Sequence, residues 1–138
     1  MVLLEENQVI NTYEIEGEFK MDLYLNGVVE INFAEDFYEV KIEHLKEIKE
    51  GMKYLGMGKK LPFFFNSKDF LGVDKEAVAY SKSPESGEFT LANAVLVDTQ
   101  AKRMLYNFYF RIVPPHVQTK AFKSKEDALA WLVSLPKD

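Results

Sequence analysis

Between Tyr13 and Leu25 the odd positions Tyr13, Ile15, Phe19, Met21, Leu23 and Leu25 are apolar, while Glu14, Glu16, Glu18, Lys20 and Asp22 occupy even ones. A period of two predicts a strand with one buried face. Gly17 falls inside this run and marks a bulge or break. Asn26-Gly27 is the strongest short hairpin signal, read as a type I′ turn with positive φ at both positions. Val28 to Phe33 is the return strand, with Val29, Ile31 and Phe33 inward. The chain is thus expected to open on an antiparallel hairpin. The residues before about Gln8 are expected to be loosely ordered.

Beyond a connection from Ala34 to Lys41 the period becomes helical. Ile42, Leu45, Ile48, Met52 and Leu55 share one face, with Glu43, Lys46, Glu47, Lys49 and Glu50 opposite. Gly56 stands where a C-cap glycine belongs. Leu61 to Phe65 is a short apolar run, as in a strand covered on both faces. Asp74 is placed to cap a second helix over Lys75 to Ser83. Thr90 to Val97 is another buried strand. Asp98 or Thr99 caps a third helix, Gln100 to Ile112, with Ala101, Met104, Leu105, Phe108 and Ile112 as its apolar stripe. Pro114-Pro115 stops it. Val117 to Phe122 is the last strand. Ser124 and Asp127 resemble a capping box opening a helix from Lys125 to about Leu135, on which Ala128, Leu129, Trp131, Leu132 and Leu135 are apolar.

The order β-β-α-β-α-β-α-β-α predicts one α/β domain over residues 1–138. Its sheet is mixed and mostly parallel, opened by an antiparallel hairpin and flanked by about four helices, with right-handed crossovers.

Composition narrows the chemistry. The net charge of −5 disfavours sequence-independent nucleic-acid binding, which needs cations for the phosphates. Without cysteine there is no disulfide, zinc–thiolate site or cysteine nucleophile. No stretch reaches the roughly 18 apolar residues of a membrane span, and the start has no basic n-region, so a cytoplasmic location is expected. His44 lies among Glu43 and Glu47 and reads as a surface histidine; His116 reads as a solvated loop histidine. No nucleophile elbow, dinucleotide fingerprint or Walker pattern is present. Gly56-Met57-Gly58-Lys59-Lys60 follows a helix instead of opening one, the wrong polarity for phosphate. No catalytic residue, metal or cofactor is therefore assigned. A module that binds and does not catalyse is expected.

Two segments stand out for binding. The third helix is aromatic almost all round, and its core stripe leaves Tyr106, Tyr109 and Phe110 over, beside Arg103. The three aromatics either pack into the core under a neighbouring helix or, with Arg103, are candidates for a ligand pocket or an interface, a homodimer included. The segment 66–76 links a buried strand to a helix N-terminus, where α/β domains place binding loops; Ser67, Asp69, Asp74, Lys75 and Glu76 are its candidates for contact with a partner.

The chain resembles the SpoIIAA-like family of STAS-type domains, in particular its small stand-alone bacterial members. The likeness runs from about Phe19 to Leu135. It lies in the element order and in three stretches: Leu61 to Tyr80, Ala92-Asn-Ala-Val-Leu-Val-Asp98 with the aromatic helix after it, and Thr119 to Leu132. It implies a mixed sheet flanked by helices and a role in regulating a protein partner or sensing a small ligand. The antagonist members carry a phosphorylatable serine in an Asp-Ser-Ser-Gly motif. Here the matching residues are Asp74-Lys75-Glu76-Ala77, with Glu76 at the serine position, so the phospho-switch is not expected. Relatives of the fold class are likened to lipid-binding domains. That implies an alternative, an apolar-ligand or membrane-surface module using the third helix with Lys102, Arg103 and Arg111.

Overall fold

A computed structural model describes residues 8–111 and 116–136. The expected loose start before Gln8, Ile112 and the Pro114-Pro115 stop lie outside these residues. In chain order the elements are β1 (Val9–Ile15), β2 (Phe19–Tyr24), β3 (Val29–Phe33), β4 (Glu39–Val40), α1 (Ile42–Gly56), β5 (Leu61–Phe65), β6 (Gly72–Val73) and α2 (Lys75–Ser81). A 3₁₀ turn (Pro84–Gly87), β7 (Thr90–Leu96), α3 (Gln100–Tyr106), β8 (Thr119–Phe122) and α4 (Lys125–Ser134) complete it, and α3 widens into a π turn over Asn107–Arg111. The main sheet has the order β1-β2-β3-β5-β7-β8. β1, β2 and β3 are antiparallel neighbours, and β3, β5, β7 and β8 run parallel.

The mixed, mostly parallel sheet with its antiparallel opening is the expected one, but one strand wider. The run from Tyr13 to Leu25 is not one strand. The chain reverses at Glu16–Glu18, where Gly17 takes φ 82° and the Glu18 N–H donates to the Ile15 carbonyl at 3.0 Å. Ile15 pairs with Phe19 across the turn, four positions on. The odd residues therefore stay on one face through the reversal, and the alternation runs on as if no turn existed. At Asn26-Gly27 only Gly27 has positive φ, 92°, and the Tyr24 N–H donates to the Val28 carbonyl. This is a three-residue loop with glycine in the left-handed position, and not the type I′ turn expected.

Successive parallel strands advance in one direction across the sheet. Crossovers of one hand then leave α1, α2 and α3 on the same face. α4 follows the last strand and takes the other face, packing on β5 and β7. Each face has its own core. Phe19, Met21, Val29, Ile31 and Phe63 meet Ile48, Met52 and Leu55 of α1. Val28, Phe64, Ala92, Ala94 and Leu96 meet Ala128 and Leu132 of α4. Gly51 lets α1 come down on the sheet: a Cβ there would stand 2.6 Å from the Tyr13 ring and 2.7 Å from the Met21 sulfur.

The caps follow the sequence with one correction. Asp74, Thr99 and Ser124 accept from Ala77, Lys102 and Asp127 N–H groups at 2.8, 3.2 and 3.1 Å. At the end of α1 the left-handed residue is Met57, φ 52°, and Gly56 is the last helical residue, packed on Leu61. His44 is half-buried. Its Nδ1 accepts from the Lys41 N–H at 2.8 Å and its ring stands edge-on to Phe37. It helps to start α1, a structural use that its charged neighbours in sequence hide.

Where the outer face of β2 and β3 is left by α4, it carries a polar network. Glu30 is 3% exposed, and each of its partners among the described residues donates to it. Oε1 accepts from Tyr24 OH at 3.2 Å and Lys125 Nζ at 3.0 Å; Oε2 accepts from Asn32 and Asn66 Nδ2, both at 3.1 Å. Burial, then the Glu30 carboxylate, push the Tyr24 phenol up to about 12. Burial and the hydrogen bond to Glu47 push Tyr13 up to about 12 as well. Unfolded phenols titrate near 10. The protonated form therefore favours the fold fully below pH 10, and this contribution is lost as pH rises from 10 to about 12. Unfolding titrations at pH 9 and pH 12 should show that loss, and Tyr13→Phe should lose less than the wild type over the same interval. Equal losses would contradict the assignment.

Candidate functional site

A cavity of about 160 Å³ lies between the sheet and its three crossover helices. Its floor is Phe63 and Phe65 of β5 with Asn93 and Val95 of β7. Leu45, Ile48 and Met52 of α1 form one wall, and Val78 and Ser81 of α2 another. Val40 of β4 and Val73 of β6 close one end. Leu105, Tyr106, Tyr109 and Phe110 form the remaining side.

The aromatic helix is therefore turned relative to the stripe expected from its sequence. Leu105 is inward as predicted. Met104 and Phe108, predicted for the core, are 63% and 76% exposed, while Tyr106, Tyr109 and Phe110 face the cavity. A helix apolar nearly all round carries no moment that could choose its buried side. The choice is made by two long-range hydrogen bonds. Thr99 Oγ1 donates to Asp69 at 2.6 Å, and Tyr109 OH accepts from the Val73 N–H at 3.0 Å.

Those bonds join α3 to the segment 66–76, the second region singled out in the sequence. Short parallel pairing of β4 with β6 ties the same segment to the connection before α1. Two-residue strands leave no periodicity to read, so the sequence gives no sign of this clip. Ser67 lines the cavity, and its Oγ makes a long 3.5 Å bond to the Lys68 carbonyl. Asp69 is exposed and held by Thr99; Asp74 is occupied as the α2 cap; Lys75 and Glu76 are exposed in the first turn. Arg103 is exposed on the outer side of α3, its Nη1 3.5 Å from the Val97 carbonyl. The structure thus gathers Ser67, Tyr106, Tyr109 and Phe110 around one cavity. Asp69, Asp74, Lys75, Glu76 and Arg103 stand outside its lining. Lining residues that the sequence marks only as core include Leu45, Ile48, Met52, Phe63 and Val95; Asn93 lies in a strand, and nothing in the sequence marks it as a site residue.

The lining is mostly aliphatic and aromatic, and among its described residues it holds no carboxylate and no imidazole. Its two cations are already paired. Lys49 Nζ meets Glu88 at 3.0 Å and Glu85 at 3.8 Å, and Lys102 Nζ meets Asp98 at 2.8 Å. Ser81 and Ser86 donate to backbone carbonyls at 2.7 and 3.0 Å. Burial raises the Tyr106 phenol, which has no hydrogen-bond partner among the described residues. Among those residues, too, no group of acidic or histidine side chains could hold a metal ion, and no helix is long and apolar enough to cross a membrane.

Residues 21–135 match the DUF7793 family, a domain of unknown function, and the chain belongs to that family. No curated protein matches it. Among solved structures it is similar to an uncharacterised protein from the DUF3478 family with a SpoIIAA-like fold, from Shewanella loihica PV-4. The identity is 13% and the TM-score 0.48, over 89% of this chain and 91% of that one.

Proposed function

We propose that this DUF7793-family domain is a non-enzymatic binding module, and that its site is the cavity beneath the aromatic helix. One observation carries the reading: an apolar cavity faced by Leu105, Tyr106, Tyr109 and Phe110. Apolar concavities with a few convergent polar groups are the usual form of a small-molecule site. Among the described lining residues the two lysines are paired, Ser81 and Ser86 donate to backbone carbonyls, and no hydroxyl stands beside a carboxylate or imidazole base, which supports binding over catalysis.

Val95→Phe places a ring in the floor of the cavity. Extracts of the protein purified from its own cells should contain a small molecule in near-stoichiometric amount. The same extract of Val95→Phe, folded by circular dichroism, should lack it. Identical extracts from the two proteins would sink the reading.

A second reading, docking of a regulatory protein on the 66–76 segment, has its own observation. Phe70 is 73% exposed and sits at φ 61°, a conformation L-residues with large side chains avoid. Phe70→Gly removes that strain and should raise the melting temperature by a few degrees. It should also release any partner that the wild-type chain retains on affinity purification. A partner held equally by both proteins would rule out Phe70 as the contact.

A further inference from the structure

The cavity as a binding site is taken here from the proposed function; its dimensions and polar groups then restrict what fits. An apolar cavity of roughly 150 Å³ accommodates benzene, and this one measures about 160 Å³. A single six-membered ring fills it, whereas an extended acyl chain would have to project from its open side. Charge gives a second restriction. Lys49 and Lys102 each hold carboxylates of the chain itself. An anionic guest would find no unpaired cation among the described lining residues and would lose its hydration without replacement.

Polarity gives the third. Asn93 Nδ2 donates to Thr119 Oγ1 at 3.3 Å, and Thr119 Oγ1 donates onward to the Val117 carbonyl at 2.8 Å. This chain orients the amide and leaves Asn93 Oδ1 with no donor among the described residues. Tyr106 OH on the opposite side is likewise without a partner among them. The cavity therefore offers the Asn93 acceptor and the Tyr106 hydroxyl, with the hydroxyls of Ser67 and Thr90 also in its mostly apolar lining.

We infer that the natural occupant is a small, uncharged single-ring molecule with one hydrogen-bond donor, of the phenol class, whose donor meets Asn93 Oδ1.

Titration of the full chain with p-cresol, toluene, benzoate and dodecanoate, followed by amide and methyl NMR shifts, tests this. p-Cresol should bind roughly five- to tenfold more tightly than toluene, the margin of one net hydrogen bond. Asn93→Leu should erase that margin while toluene still binds. Benzoate and dodecanoate at neutral pH should leave the cavity methyls unshifted. Tighter binding of either anion, or an undiminished p-cresol preference in Asn93→Leu, overturns the inference and leaves the cavity reading standing. Failure of both p-cresol and toluene to shift the cavity methyls overturns the inference and the cavity reading together.

Discussion

Phe64→Ala is expected to destabilise the protein by about 3–5 kcal/mol, the range for removing a fully buried aromatic side chain. Phe64 is wholly buried in β5 and is the largest such side chain in the described chain. Its neighbours in the α4-side core include Ala92, Ala94 and Ala128. Alanines cannot swing into the space a phenyl ring vacates; Val28 is held by its backbone bond to Tyr24, and Leu96 lies in β7. The hole therefore stays open, which places the cost at the upper end of that range. Total stabilities run about 5–15 kcal/mol, so this one change removes a large share. Urea unfolding should show a much lower midpoint with an unchanged slope. Phe108→Ala, on the exposed side of α3, should stay within about 0.5 kcal/mol of wild type. A loss below about 1.5 kcal/mol for Phe64→Ala would contradict the packing of this core.

Glu30 should be nearly as intolerant, and of its closest analogue. Tyr24, Lys125, Asn32 and Asn66 all direct donors at its two oxygens. Only a carboxylate presents acceptors in all those directions. Glu30→Gln turns one oxygen into a donor that faces donors, and is expected to cost about 2–3 kcal/mol, as for other buried polar groups left unsatisfied. Glu30→Ala should cost at least as much. Lys125→Met should cost under about 1 kcal/mol, because Lys125 is half-exposed and its charge already meets water. The order Ala ≥ Gln ≫ Met in equilibrium unfolding is the test. If Gln proved neutral, the network could not be arranged with Glu30 as its common acceptor.

Much of the architecture is legible because strands and helices bury single, periodic faces. α1 reads correctly from Ile42, Ile48, Met52 and Leu55, and the helix caps from Asp74, Thr99 and Ser124. Legibility ends where periodicity is silent. The reversal at Gly17 preserves parity and so hides the join between β1 and β2. β4 and β6 are too short to alternate. The rotation of α3 is set by Asp69 and Val73, far off in sequence. The cavity is therefore half visible in the sequence. Tyr106, Tyr109 and Phe110 are surplus to a core stripe, while Asn93 gains its meaning only from Thr119 on the adjacent strand.

Among the described helices only α4 covers its face of the sheet, which has a bearing on synthesis. The antiparallel strands β1 to β3 are local and can pair as they leave the ribosome, and α1, the next long element, can cover their inner side. Val28, Phe64 and Leu96 have to wait for residues 125–134, which emerge after all of the sheet. During that interval a greasy surface faces solvent or a chaperone. The nascent chain is most vulnerable when its sheet is finished and its last helix is not.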